Sequence, residues 1–284
     1  MELHYRILNV FTVAGDRLSG NPLCVFEDGR SLEAERMQAL ARQFNLSETT
    51  FVLPPERADS TARVRIFTPN FEMPFAGHPT LGTAHVVRAL TGARDLVVLE
   101  MKAGLVQVRA EGDRWTLRAA KVPVTREPMA SADALAAMVG LAPGCVSRPL
   151  WVDTGAEQLL LRVRSSADVR AARPEPAPFL RDARGSAGGE AMAYVFAEVS
   201  PDDVEARFFF MAGGSVAEDP ATGSACANLG GWLLATGTPV PARRRVTQGA
   251  QVGRPSLLTL EVDGERRIYV TGEVVELGRG SIRF

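Results

Sequence analysis

The sequence is short of the residues that usually announce a chemistry. Its 284 residues hold three histidines (His4, His78, His85), three cysteines (Cys24, Cys145, Cys226) and two lysines (Lys102, Lys121) against thirty arginines. Three scattered histidines make a poor set for a histidine-rich metal centre, and no metal site is expected. The cysteines show no C-x-x-C spacing, which argues against a zinc knuckle, a redox dithiol or a disulfide scaffold. Reduced thiols in a cytoplasmic protein are the plain expectation. Two lysines leave little room for Schiff-base chemistry, and a P-loop is absent because no Gly-Lys-Ser/Thr occurs. No apolar run approaches the ~20 residues of a membrane helix. Residues 1–6 lack a basic stretch leading into an apolar one, so no secretion signal is expected. A formal net charge of -1 argues against nucleic acid or an anionic membrane as the partner.

What is present is core and alternation. Hydrophobic residues make up 46% of the chain, ample for two domains of ordinary size. The first half reads as strands and helices in turn. His4–Val13 is extended, Leu32–Phe44 carries apolar residues at helical spacing, and Thr49–Leu53 and Arg63–Phe67 read as strands. Pro79–Leu90 reads as a helix with proline at its first position. The second half restarts this programme, with strands at Leu159–Val163, Ala193–Phe196 and Glu205–Met211 and a small-residue helix at Ala221–Ala235. Residues 172–190 read as a loop with one helical turn near Phe179–Arg184. Residues 244–284 read as short strands with turns at Asp263-Gly264 and Gly278-Arg279-Gly280.

An internal repeat emerges from this pass. RVRIF (63–67) and ARFFF (206–210) are arginine-bearing strands ending in phenylalanine. Each precedes an acidic-proline turn, Glu72-Met73-Pro74 or Glu218-Asp219-Pro220. Each then leads to a small-residue helix start, FAGHPTLGTA (75–84) or ATGSACANLG (221–230). Two similar α+β halves would explain the pattern; chance similarity of two small-residue helices is the alternative.

Three segments hold candidate chemistry. Gly77-His78 stand where a helix begins, and the unpaired amides of a first turn favour an anion such as a carboxylate. An isolated histidine there also serves as a simple cap. His85 lies about 10.5 Å further along that helix, too far for both rings to share one metal. In Glu218–Ala225, Thr222 and Ser224 can cap a helix or bind a ligand oxygen, and Gly223 lets a ligand approach the backbone. Glu48 stands between an amphipathic helix and an apolar strand. Desolvation there raises a carboxyl pKa toward neutrality, as a general acid/base needs, although a loop glutamate is more often solvated. The helix starts hold Gly77-His78 and Gly223-Ser224 where a two-thiol racemase needs cysteines. Cys226 reads as a small buried residue.

NLSETTF (45–51), RIFTPNFEMPFAGHPTLGTA (65–84), EDPATGSACA (218–227) and VTQGAQVGRPS (246–256) resemble, in order, blocks of the PhzF-like family, named for a phenazine biosynthesis isomerase. The resemblance spans essentially the whole chain. It implies a diaminopimelate-epimerase-like α+β fold: two pseudo-symmetric domains, each a sheet wrapped round a central helix, with the active site between them. The domains are expected at 1–121 and 122–284, the final strand free to return to the first. The family's activity implies a cofactor-independent isomerase or epimerase moving a proton between carbons of a small carboxylate-bearing metabolite. Glu48 would be the general acid/base. His78, Asp219 and Ser224 would polarise substrate or assist the proton, and Gly77, Gly223 and Thr222 would bind substrate. A homodimer is the family's expectation. The competing readings are a non-catalytic carboxylate-binding protein on the same scaffold and a cysteine-type racemase, which the helix-start residues disfavour.

Overall fold

The computed structural model describes residues 2–186 and 189–283. They form two compact units, Met1–Arg118 with Thr271–Phe284, and Ala119–Val270. The first unit runs β1 (Glu2–Val10), β2 (Asn21–Phe26), α1 (Ala34–Phe44), β3 (Glu48–Leu53), β4 (Ala62–Phe67), β5 (Glu72–Met73), α2 (Gly77–Thr91), β6 (Leu96–Met101), β7 (Gly104–Glu111) and β8 (Arg114–Arg118). The second runs β9 (Val124–Arg126), α3 (Ala132–Met138), β10 (Val146–Asp153), β11 (Glu157–Val163), α4 (Ser166–Ala171), α5 (Pro176–Asp182), β12 (Met192–Glu198), β13 (Asp203–Ala212), β14 (Ser215–Asp219), α6 (Gly223–Ala235), β15 (Ala242–Gln248) and β16 (Ser256–Val262). The last strand, β17 (Ile268–Arg283), begins in the second unit and continues into the first from Thr271.

In the first unit the strands pair in the order β1, β2, β3, β4, β6, β7, β8, β17, and β17 pairs again with β1, closing the sheet on itself. α2 fills this barrel and packs against β1, β2, β3, β4, β6, β7 and β8. Its sequence explains why. Gly, Thr, Ala and Val lie on every side of the helix, and Gly77–Ala84 are all buried, the all-round burial of an interior helix. α1 is amphipathic instead. It packs on the outside, Met37, Leu40 and Ala41 covering Phe26, Phe51 and Phe67.

The second unit repeats the plan. In both, an antiparallel pair (β1–β2 or β10–β11) leads to a parallel neighbour (β3 or β12) and an antiparallel one (β4 or β13). The latter carries a short antiparallel flap (β5 or β14) and a parallel partner beyond it (β6 or β15). The central helix follows the flap each time. The repeat extends to side chains. Arg65 makes a bidentate pair with Glu72 at 2.8 and 2.9 Å and lies over Phe67, and Arg207 pairs with Glu218 at 3.1 and 2.6 Å and lies over Phe209. The expected α+β architecture, a sheet round a central helix in each unit, is present.

Four local expectations change. The acidic residues before Pro74 and Pro220 lie on the flaps β5 and β14 rather than in turns, because the arginine on the facing strand draws each glutamate into the ladder. Pro79 is the third residue of α2, not the first; a missing N–H costs nothing anywhere in a first turn. The 172–190 loop contains the helix α5 (Pro176–Asp182), docked by buried Phe179; Ala187 and Gly188 lie outside the described residues. Gly278–Gly280 form no turn but continue β17 opposite Ile7 and Tyr5, after a bulge. A Cβ on Gly280 would lie 2.5 Å from the Tyr5 hydroxyl oxygen, so any larger residue there must displace that ring.

Candidate functional site

In the first unit the sequence ends one element and aims the next. Asn45 adopts a left-handed conformation (φ 51°) and its N–H closes α1 on the Ala41 carbonyl, a helix stop that asparagine tolerates. The chain then turns so that Glu48 is the first residue of β3, beside Leu23 of β2. His78 lies in the first turn of α2. These two residues, thirty apart in sequence, meet: His78 Nε2 is 3.2 Å from Glu48 Oε2, with the side chains only 5% and 15% exposed. The ring's other nitrogen donates a hydrogen bond to the Pro22 carbonyl. Gly77 and His78 also contribute first-turn amides, which a helix leaves without internal acceptors.

Burial pushes the His78 imidazole down to about 3. A neutral ring that donates to Pro22 turns a lone pair, not a proton, toward Glu48. A carboxylate oxygen against that lone pair is repulsive, whereas a carboxylic acid O–H donating to it is attractive. His78 Nε2 thus offers Glu48 an acceptor for a carboxyl proton. The same neutrality has a consequence for stability. Between about pH 6.5 and 3 the unfolded chain binds a proton at this histidine that the folded chain refuses, so stability falls as pH drops through that window, by about 1.4 kcal/mol per pH unit from this group. Urea titrations from about pH 4 to 7 should show a shallower slope for His78→Gln. Identical slopes would contradict a neutral, buried ring.

In the second unit Asp219 closes β14 and Thr222 precedes α6 as its N-cap. Thr222 makes no side-chain cap; its hydroxyl donates to Asp219 Oδ2 at 2.5 Å. Gln248, buried at the end of β15, donates to the Asp219 carbonyl at 2.9 Å and to Thr222 Oγ1 at 3.1 Å. Ser224, half-buried in the first turn of α6, accepts a hydrogen bond from Gln158 Nε2 at 3.0 Å. Gly223 supplies a first-turn amide. Asp219, Thr222, Gly223 and Ser224 thus gather at one helix start, as Glu48, Gly77 and His78 gather at the other. Cys226 is fully buried, and burial pushes its thiol further from ionisation, which removes its thiolate character. His85 packs edge-on against Trp115.

Gln158, Asn228 and Gln248 were not among the residues expected from sequence. Asn228 had a signal, four residues after Ser224 and so on the same helix face, and Gln248 lies within the VTQGAQVGRPS block. Gln158 had none. After Gln248 the chain turns at Gly249 (φ 81°), where a Cβ would sit 2.4 Å from the Pro220 carbonyl oxygen and close upon that of Arg254. Gly249→Ala should cost roughly 2–4 kcal/mol from left-handed strain and overpacking, read as a lowered urea midpoint. Wild-type stability would mean the turn adapts freely.

The comparisons agree across the chain. A family model for phenazine biosynthesis-like proteins (PhzC-PhzF) matches residues 8–280. An uncharacterized isomerase of Pasteurella multocida is 37% identical over 98% of this chain and 93% of its own. The trans-2,3-dihydro-3-hydroxyanthranilate isomerase of Pseudomonas chlororaphis is 35% identical over 98% of this chain and 99% of its own. Among solved structures, a PhzF-family phenazine biosynthesis protein of Bacillus anthracis superposes with a TM-score of 0.85 over the whole of both chains at 21% identity, which shows the shared fold. With the family model and full-length relatives in agreement, the chain belongs to the phenazine biosynthesis-like PhzC-PhzF family and is an isomerase of it.

Proposed function

We propose that this isomerase moves a proton between two carbons of a small, unsaturated carboxylate, using Glu48 as its general acid/base and no cofactor. The observation that carries the reading is the buried Glu48–His78 pair at the start of α2. Glu48, as carboxylate, takes a proton from a carbon acid, and the electron pair left behind spreads into the adjoining double bond. The proton, now on Glu48, donates to the neutral Nε2 of His78, which holds it in place. Glu48 then returns it to a different carbon of the same system. One C–H bond breaks and another forms, with no change of oxidation state. First-turn amides of Gly77 and His78 suit the substrate carboxylate. In the second unit, Asp219 and Ser224 offer an acceptor and a donor for polar substituents, and Thr222 with Gln248 holds Asp219 in place.

The relatives support this substrate class. A cyclic, amino- and hydroxyl-bearing dihydroanthranilate has the required carbon acid, conjugation and carboxylate, so trans-2,3-dihydro-3-hydroxyanthranilate is the first compound to test. Incubated with the protein in D2O, it should isomerise, with deuterium entering carbon positions at a rate proportional to protein. Tight binding with no exchange and no isomer would refute the catalytic reading and leave a carboxylate-binding protein.

A further inference from the structure

Ser224 is one end of a buried chain of amides whose polarity is set by the backbone at the other end. The β10–β11 hairpin turns through Thr154, Gly155 and Ala156, and Asn228 of α6 is inserted into that turn. Its Oδ1 accepts from the Thr154 backbone N–H at 2.9 Å and from the Thr154 hydroxyl at 2.6 Å; its Nδ2 donates to the Ala156 carbonyl at 2.8 Å. A backbone N–H only donates and a backbone carbonyl only accepts, so the Asn228 amide has one permitted orientation. That orientation leaves Nδ2 facing Gln158 Oε1 at 2.8 Å. Gln158 in turn has no choice, and its Nε2 faces Ser224 Oγ at 3.0 Å. Thr154, Gln158 and Asn228 are all buried, at most 4% exposed, where an amide turned the wrong way would face donor to donor without water to compensate.

We infer that Gln158 and Asn228 are positioning residues that fix the hydroxyl of Ser224 as a hydrogen-bond donor to the substrate. Ser224 has one proton to give. Because Gln158 Nε2–H already fills one of its lone pairs, the hydroxyl proton cannot point back along the chain and is left for an acceptor elsewhere around this half-buried residue. The hairpin backbone thereby decides, through two side-chain amides, that this subsite recognises an acceptor atom such as a carbonyl, carboxylate or hydroxyl oxygen. The inference rests on the substrate-binding role proposed for Ser224, but the orientation itself does not.

Gln158→Glu is the discriminating change, for it keeps shape while replacing the donor with an acceptor. Neutron diffraction from D2O-exchanged crystals should show the wild-type Ser224 deuterium pointing away from Gln158, and turned toward residue 158 in the variant. A wild-type Ser224 that donates into Gln158 overturns the inference, whether or not the protein is an isomerase. Kinetically, with trans-2,3-dihydro-3-hydroxyanthranilate, Gln158→Glu should lose on the order of tenfold to a hundredfold in kcat/KM at alkaline pH. It should recover toward wild type on acidification, as the introduced carboxyl gains a proton to donate. Ser224→Ala should show a similar loss with no recovery, and the double variant should lose no more than Ser224→Ala alone. A pH-independent ratio to wild type, or losses that multiply, would mean that Gln158 acts merely as a core residue. If the wild type does not turn over this compound, the proposed function fails and the neutron result alone decides the orientation. Should Gln158→Glu not fold, Gln158→Met removes the donor, and its crystals should show the Ser224 deuterium released from its direction away from residue 158; an unchanged direction overturns the inference.

Discussion

Glu48→Gln should abolish incorporation of solvent deuterium into the substrate while leaving the fold intact. Glutamine has the volume of glutamate and still accepts and donates hydrogen bonds, but it cannot take a proton from carbon. General acid/base groups contribute about 10²–10⁴-fold. Here one group is asked both to remove and to return the proton, so the loss should lie at the upper end of that range or beyond. Glu48→Asp should fall between, since the carboxyl keeps its chemistry but draws back by one methylene from both His78 and the substrate. Single-turnover NMR in D2O measures both, with circular dichroism as the check on folding. A glutamine variant that kept a tenth of wild-type exchange would remove Glu48 from the mechanism.

The largest stability effect should come from Arg207→Ala, with urea denaturation showing a loss of roughly 3–5 kcal/mol. Arg207 and Glu218 are each only 8% exposed. The guanidinium also donates to the carbonyls of Ala172 at 2.7 Å and Val169 at 3.3 Å, at the C-terminal end of α4, and lies 4.6 Å from the centre of the Phe209 ring. Its removal strands a carboxylate in the interior and uncovers helix-end carbonyls at once. The equivalent Arg65→Ala should cost about 1 kcal/mol or less, because Arg65 and Glu72 are 27% and 22% exposed and water replaces the lost partner. Replacing both members of the buried pair, as in Arg207→Met with Glu218→Leu, should restore much of the loss. Equal costs at the two arginines would show that burial does not set the difference. Glu218 precedes Asp219 on β14, so the Arg207 variant should also lose activity beyond its loss of folded protein.

The residues of the candidate site stand out along the chain because they sit at local punctuation. Glu48 follows the asparagine that stops α1. His78 opens a helix marked by Gly77 and Pro79, and Asp219 to Ser224 open another. Each residue type carries a local conformational signal, and the family blocks coincide with those signals. The arginine–glutamate flaps were visible as a repeated pattern but misread as turns, since nothing local says that an arginine on the preceding strand will hold the glutamate in a ladder.

By itself, then, the sequence determined the alternation of elements, the two interior small-residue helices, the repeat that relates the two units, and the absence of thiols at the helix starts. These follow from side-chain periodicity and backbone preference, which act over a few residues. Only the tertiary structure decided which polar groups meet and which way they point. The 3.2 Å approach of His78 to Glu48, the return of β17 to close the first barrel, and the amide chain from the Thr154 backbone to Ser224 depend on strands and helices distant in sequence. A glutamine in a strand pattern is only a polar residue; buried between Asn228 and Ser224, its orientation is dictated by groups that can only donate or only accept.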